Sequence, residues 1–600
     1  MKSAADVIVI GAGHNGLVCA AYLAKAGLDV LVVERSHRIG GACVTEELVP
    51  GFHFSTFAYS AHGPGPKICC DLELAADAFQ INAIDPVVFH PFPDGDHVML
   101  WSDREQSAEG LSRFGPREAE GYLAYHRFLE DAISIVSDWF LQPPISHRSL
   151  YERYESTPLA PVLEAMLTRS HWDVLCDYLE NDKVLCALAR ADDCGDPLAI
   201  GSLLSEVCEM GSTGAGIENK SGLVRGGMGR ITQALADAAR KFGAEIRTEA
   251  PVSRVLVENS RAVGVRLESG EELRSRFVVS NADPKRTFLK LVAPDDLSPD
   301  FRSQVARIKT RAGYMKYHAI LSGPPHFSAM PERFANDARY CASVRIAPSL
   351  PYYQQAWVDA QSGIPARQPV MSLQLPTAYL PEMAPAGKHI FGAWVRYAPR
   401  NPKDGGWESW REETRKSIEQ TIESYAPGFR ELIEWQRLYT TEYIERETGI
   451  TDASIRHVDQ TLDQMLHRRP LPPWSAYQSP LEGLWMCGSG THPCGSVTGG
   501  PGHNAAHALL ETISKSVATN RRSATPFKIG PCPDGLSRTS FVPTDVSPLF
   551  PLVRWVGLRF KQITAAFFGV ARLSGLPVHR VPLTLQVTLS RIHELLPFSS

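Results

Sequence analysis

Gly11, Gly13 and Gly16 fall in the run Gly11-Ala12-Gly13-His14-Asn15-Gly16, and that spacing points to one chemistry, the gripping of a pyrophosphate. Gly11 permits a tight turn. Gly13 lets the backbone come close to the phosphates, and Gly16 lets the next helix pack against the preceding strand. A helix starting there directs its N–H groups and the positive end of its dipole at the anion. Glu34 follows at the position where a carboxylate accepts hydrogen bonds from ribose hydroxyls.

That chemistry demands particular elements, and the sequence supplies them in order. Residues 7–10 (Val-Ile-Val-Ile) are β-branched and apolar, the pattern of a buried parallel strand. Residues 15–26 predict a helix with Leu17, Val18, Ala20, Ala21, Leu23 and Ala24 on its apolar face, and Gly27 ends it. Residues 29–33 predict the second strand, closed by Glu34. The glycines alone would suit any βα turn; strand, glycines, helix, strand and acid in sequence argue for a dinucleotide site. After Glu34-Arg35 come Gly40-Gly41 and Ala42. This extension resembles the glutathione-reductase-like FAD superfamily, in which such a glycine pair runs along the pyrophosphate and ribitol.

Two later segments return to the same sheet. Arg225-Gly226-Gly227-Met228-Gly229 opens a helix carrying Ile231, Ala234, Leu235 and Ala238 at helical spacing, followed by a strand over 244–248. Strands over 252–258, 262–268 and 277–282, with turns at Asn259-Ser260 and Ser269-Gly270, predict a small antiparallel meander before the chain re-enters the sheet. The last piece runs from Gly483 through Gly488-Ser489-Gly490, Thr491-His492-Pro493-Cys494-Gly495-Ser496-Val497 and Gly499-Gly500-Pro501-Gly502 to a helix opening at Asn504. A strand, a glycine-dense loop and a helix N-terminus make a second concavity rich in donors. Two such concavities at opposite ends of the chain call for one long cofactor spanning both.

Residues Val7 to Phe54, Gly226 to Pro284, and Asp463-Gln464-Met465 through Ala506 resemble the phytoene-desaturase-related flavoproteins. Within that group the chain is most similar to the desaturase-type carotenoid ketolases and to the pyridine nucleotide-disulphide oxidoreductase domain-containing protein 2 group, over roughly residues 5–515. The resemblance implies an α/β, glutathione-reductase-like two-dinucleotide-binding FAD fold with an inserted α+β substrate domain. It implies FAD as cofactor and a long apolar, carotenoid- or lipid-like substrate. It assigns the cofactor to Gly11, Ala12, Gly13, Asn15, Gly16, Glu34, Arg35, Gly40, Gly41, Ala42, Val252, Gly490, Gly495, Ser496 and Val497. By family position His492 is the candidate catalytic group near the flavin ring; a loop histidine that satisfies backbone groups is the alternative. One departure stands out: the family's His-Pro-Gly-Gly is His492-Pro493-Cys494-Gly495 here. Cys494 either faces the flavin and alters its chemistry or is a small side chain pointing away, as free cysteines mostly are.

The domains expected from this pattern alternate. Residues 1–90, 221–300 and 471–520 build the FAD-binding part. Residues 91–220, mainly helical, and 301–470 build the substrate part, and 521–600 form a tail. Helical patterning is clear over Ala119 to Val136, Val162 to Leu179 and Trp407 to Tyr425, the last charged and exposed in expectation. Strands are expected over Tyr317 to Leu321, Val370 to Leu375 and His389 to Tyr397.

Several functions are disfavoured. The 12 cysteines contain no Cys-x-x-Cys or Cys-x4-Cys, so neither a disulphide-reductase thiol pair nor a zinc site is expected. Only one nucleotide fingerprint is present, so electrons are expected from an organic substrate, leaving to oxygen or a quinone. Basic residues are outnumbered, 61 Lys+Arg against 66 Asp+Glu, with no dominant stripe, which argues against a nucleic-acid partner. With the first strand starting near Asp6 and no long apolar run, a secreted or membrane-spanning chain is not expected, and a cytoplasmic location is. Residues 521–600 carry ten Lys/Arg against three Asp/Glu, a charge of +7, leaving −12 on residues 1–520. Arg521 to Ser547 has linker composition. Leu549 to Leu573 combines Phe550, Trp555, Phe560, Phe567 and Phe568 with four basic residues, as an interfacial helix would. Docking of that segment on the body, or disorder, fits as well. An amine oxidase on the same fold, or a flavin-binding regulatory protein of little turnover, also fits these motifs, and the oligomeric state is left open.

Overall fold

The β-branched run that opens the chain becomes the centre of a seven-stranded sheet. In the computed structural model, which describes residues 4–60, 63–75, 77–189, 195–196, 198–211 and 222–523, the strand Ala4–Ile10 pairs in parallel with Val30–Val33 on one side and Glu272–Ser280 on the other. The order is Val252–Glu258, Arg261–Leu267, Glu272–Ser280, Ala4–Ile10, Val30–Val33, Glu245–Arg247, and Leu484–Met486 also joins Glu272–Ser280. Val7, Ile8, Val9, Val30 and Val32 are fully buried, as strands covered on both faces must be.

Strand Glu272–Ser280 is the hinge of the topology. Its first half pairs antiparallel with Arg261–Leu267, completing the meander, and its second half runs parallel with Leu484–Met486. The sequence expectation placed this strand at 277–282; the structure starts it five residues earlier, at Glu272, because the turn at Ser269-Gly270 feeds directly into the meander. Helices His14–Lys25, Gly229–Lys241 and Gly500–Ser523 cover one face, burying Leu17, Val18, Ile231, Leu235, Ala506 and Leu509.

A second seven-stranded sheet lies in the order Ile433–Tyr439, Tyr314–Leu321, His389–Arg396, Val370–Gln374, Ser343–Ile346, Val88–Pro91, His97–Leu100. Its neighbours are antiparallel except Ser343–Ile346 beside Val88–Pro91. Alternation sorts its residues. Met315, Tyr317, Ala319, Val344, Ile346, Met371, Leu373, Phe391, Ala393 and Val395 point into an apolar core. The other face carries polar and aromatic side chains, described below. Strands Val88–Pro91, Ser343–Ile346 and Ile433–Tyr439 were not expected from sequence, and Val88–Pro91 straddles the boundary set at residue 90.

The helical part differs from expectation in one place. Val162 to Leu179 is two helices, Ala160–Thr168 and His171–Tyr178. Ser170 divides them: its hydroxyl accepts from the Asp173 N–H at 3.1 Å while the Asp173 carboxylate accepts from the Ser170 N–H at 3.3 Å. This reciprocal cap starts a new helix and satisfies two donors that a continuous helix would not leave free. Gly406–Tyr425 is charged as expected, yet it buries Trp407, Ile418, Ile422 and Tyr425 against the second sheet. Met1–Ser523 forms one compact unit. The remainder of the tail, residues 524–600, and with it the expected interfacial helix, lies outside the described residues.

Candidate flavin site and substrate cleft

Gly40 is carried back over the first turn. Its N–H donates to the Ala12 carbonyl at 2.9 Å, and Gly13 and Gly40 form an isolated parallel bridge. The first and second glycine groups of the sequence are thus stacked into one cradle. The close approaches require glycine. A Cβ on Gly16 would lie 2.2 Å from the Gly11 carbonyl oxygen, and Gly40 adopts a φ of +117°. No side chain caps the helix at Gly13 and no acid sits in its first turn, so the turn's donors face the cradle.

Glu34 is buried at the end of its strand. One oxygen accepts from the Ala12 N–H at 2.8 Å and the other from the Ser36 N–H at 2.9 Å. These bonds hold the carboxylate against the turn while each oxygen keeps further acceptor capacity. The distal loop meets the same place: His14 Nε2 lies 2.9 Å from the Ser496 carbonyl oxygen, and Asn15 Nδ2 donates to Ser489 Oγ at 3.1 Å. Positions separated by more than four hundred residues in sequence are thereby joined.

A continuous cleft of about 2430 Å³, its solvent-filled mouth included, runs from this cradle to the second sheet. Of the residues expected at the cofactor, Gly11, Gly13, Glu34, Arg35, Gly40, Gly41, Ala42, Val252, Ser496 and Val497 line it. Ala12, Asn15, Gly16, Gly490 and Gly495 do not. Ala12 and Asn15 are buried behind the turn, and the glycines pack against backbone or neighbouring side chains, Gly490 on Pro284 and Gly495 on Arg456. They shape the cradle from behind.

His492 stands apart from the cleft. It is fully buried with its ring 5.4 Å from that of Trp139, and burial lowers its pKa to about 3. A neutral imidazole packed under the loop supports that loop and does not face the cavity. Cys494 is 1% exposed, packs with the helical core, and donates its thiol to the Gly495 carbonyl at 3.4 Å, so it is the small inward side chain and not a group on the cleft.

The structure brings in residues that sequence reasoning missed. His457 lines the cleft near His14; burial, then the nearby Arg469 charge, lowers its pKa to about 4, and burial together with His457 does the same for His14. Asp283 also lines it, accepting from Thr451 Oγ1 at 2.8 Å and from the Arg286 N–H at 2.9 Å, with burial raising its pKa. Arg469, fully buried, binds five backbone carbonyls, those of Arg456, Val458, Gln464, Ser489 and Thr491. It clamps the distal loop to the segment bearing His457. Lys316 lies on the buried strand Tyr314–Leu321, just ahead of the stretch expected from sequence at Tyr317 to Leu321. Its Nζ lies 3.8 Å from the centroid of the Tyr59 ring, and burial drives its pKa well below the usual lysine range. Tyr59 and Trp394 line the cleft, with Trp394 stacked on Tyr314 at 4.0 Å, so Lys316 sits one layer behind an aromatic wall.

Among the described residues no cluster of His, Cys, Asp or Glu could hold a metal, and no helix is long and apolar enough to cross a membrane. The parallel sheet, the glycine cradle and the ribose-side acid define a dinucleotide-binding oxidoreductase fold. Residues 16–325 match the family described as flavin containing amine oxidoreductase, and the chain belongs to that family. It is 32% identical to pyridine nucleotide-disulfide oxidoreductase domain-containing protein 2 of Rattus norvegicus, over 86% of this chain and 94% of that protein. It is 27% identical to a component of the limonene dehydrogenase of Castellaniella defragrans, over 85% and 95%. It is 26% identical to the neurosporene-forming phytoene desaturase of Cereibacter sphaeroides, over 86% and 96%. A solved putrescine oxidase variant shares the fold, with a TM-score of 0.56 at 14% identity, covering 86% of this chain and 99% of that one. The chain is therefore an FAD-dependent oxidoreductase of the phytoene-desaturase-related type. The cradle fits FAD, because the Gly13–Gly40 stack and uncapped helix suit a diphosphate and Glu34 suits a ribose.

Proposed function

We propose that this enzyme is a dehydrogenase, desaturase or ketolase that oxidises an apolar, carotenoid- or lipid-like substrate and passes the electrons to oxygen or a quinone. The observation that carries the reading is the continuity of the cleft, which runs on past the cofactor cradle to the aromatic wall of Tyr59 and Trp394. A dinucleotide gripped at the glycine turns would leave that far wall for a second molecule, and a concave site lined by aromatic side chains suits an apolar one. Relatives named for limonene and phytoene support a hydrocarbon as the occupant. Bound FAD would supply the hydride acceptor. The chain's own residues orient substrate and exclude water: Tyr59 and Trp394 offer flat apolar surface, and His14 and His457, held neutral, can exchange a proton without placing a fixed charge in the cleft.

A second reading, an amine oxidase, draws on the same aromatic wall, whose π-faces would suit an amine or ammonium group. Anaerobic bleaching of the flavin by a carotenoid or lipid extract, with none by amines, is the expected result. Bleaching by amines alone would reverse the assignment, and bleaching by neither would favour a regulatory flavoprotein. The basic tail is proposed as a peripheral membrane contact. Deleting residues 521–600 should abolish binding to anionic vesicles, and unchanged binding would dismiss that role.

A further inference from the structure

Asn281 sits where the glycine groups from the two ends of the chain meet. It follows the last residue of strand Glu272–Ser280, and its backbone N–H donates to the Ile10 carbonyl at 2.9 Å, which holds it level with the end of the first strand. Its side chain leans over the turn that opens helix His14–Lys25. A Cβ on Gly13 would lie 2.7 Å from Asn281 Nδ2, and a Cβ on Gly16 would lie 3.2 Å from both Cβ and Cγ of Asn281. From the distal loop, a Cβ on Gly488 would meet the Asn281 carbonyl oxygen at 2.5 Å. Glycines near residue 13 and near residue 490 thus pack on one residue from the middle of the chain. Room for that residue is a second reason for glycine at Gly13 and Gly16, beside close approach to a phosphate.

Asn281 lines the cleft with Gly11, Gly13 and Ser489. Among the described residues none hydrogen-bonds to its carboxamide. A primary amide carries two N–H donors and an acceptor oxygen. Packed against backbone and without a protein partner, it forgoes hydrogen bonds that an exposed amide would make to water. An apolar side chain of the same size would fill the space without that cost. The donors around it already converge on an anion: helix His14–Lys25 starts without a side-chain cap, and Gly13 stacks on Gly40 in the cradle.

We propose that Asn281 is a cofactor-binding residue whose Nδ2 donates a hydrogen bond to the FAD diphosphate, beside the N–H groups of the glycine turn. The assignment concerns the cofactor and holds for any substrate at the far end of the cleft. It gives the diphosphate a donor from a third segment, which the glycine pattern at either end of the chain does not encode.

The test measures FAD affinity of wild type, N281A and N281D by diluting the full-length holoprotein and following the fluorescence of released flavin. N281A is expected to weaken FAD by about tenfold, the worth of one hydrogen bond to a charged group. N281D keeps the shape of the side chain but sets a carboxylate against the diphosphate. At about pH 8 it is expected to bind FAD at least about tenfold more weakly than N281A; at about pH 5.5, as the introduced carboxyl takes up a proton, it should come within about threefold of N281A. His14, Glu34, Asp283 and His457 face the same cleft, so wild type and N281A are measured over the same range to remove their contribution. A side chain that merely fills space gives the opposite order, with N281D like wild type at every pH. That order, or unchanged affinity in N281A, would overturn the assignment. N281D need not fold for the test to decide: the phosphorus NMR resonances of FAD bound to N281A and to wild type should differ, and identical spectra would overturn it as well.

Discussion

Arg469 Nη2 donates to the Ser489 carbonyl oxygen at 2.7 Å, and through that bond the glycine-dense distal loop is tied to the segment that carries His457 into the cleft. Burial lowers the Arg469 pKa to about 10, so the group stays charged at neutral pH. Five carbonyls depend on it. Arg469→Met should leave them buried without partners and cost on the order of 3 kcal/mol or more. Thermal unfolding should show the lower Tm, and released flavin fluorescence should show weakened FAD retention. Arg469→Lys should fall between, since an ammonium has only three donors.

Gly16→Ala tests the cradle from behind. The new Cβ would meet the Gly11 carbonyl oxygen at 2.2 Å, a backbone atom that cannot yield without moving the turn. FAD affinity should fall by roughly a hundredfold or more, equivalent to about 2.7 kcal/mol, and the protein should purify pale. Gly27→Ala is the control: its φ is +88° but nothing lies within 4 Å, so stability should drop by about 1 kcal/mol with the flavin retained.

Acid should destabilise the fold through its buried histidines. His14 and His457 titrate at about 4, and His90 and His318 at about 3, in each case chiefly because burial disfavours the imidazolium. The unfolded chain, with pKa near 6.5, takes up protons first as pH falls. Stability from these groups is therefore complete above about pH 6.5 and declines as pH falls toward the folded-state values of about 4 and about 3, by on the order of 3 kcal/mol for each histidine. Tm measured from pH 7.5 to 4.5 should decrease steadily across that window; a flat profile down to pH 5 would contradict the burial.

Lys316→Met should stabilise the protein. Desolvation holds the pKa of the fully buried amine well below the usual lysine range, so at pH values below the unfolded pKa proton uptake favours the unfolded chain over the folded one. Methionine has similar reach and no such cost, so stability should rise by about 1 kcal/mol or more. Urea unfolding at pH 7 checks this. The gain should shrink toward pH 10, where the unfolded lysine also loses its proton.

How much was legible in advance follows from where the information sits along the chain. The run from Val7 to Glu34 declared its own strand, turn, helix and acid, because each depends on neighbours within a few residues: β-branched side chains for a buried strand, glycines for the turn, helical spacing for the packed face. The family, the FAD cofactor and the existence of a second loop near residue 490 followed from the same kind of local pattern.

The cleft itself was decided by tertiary structure. Arg345, Ser372 and Arg396 are ordinary polar residues in three separate strands, and only sheet register places them side by side under one cavity. His492 has the sequence context of an active-site group, yet the fold turns it under the loop against Trp139 and puts His14 and His457 on the cavity instead. Motifs encode backbone shape, which is local. Which face of a strand or loop meets a ligand is set by everything packed behind it, and that is written across hundreds of residues at once.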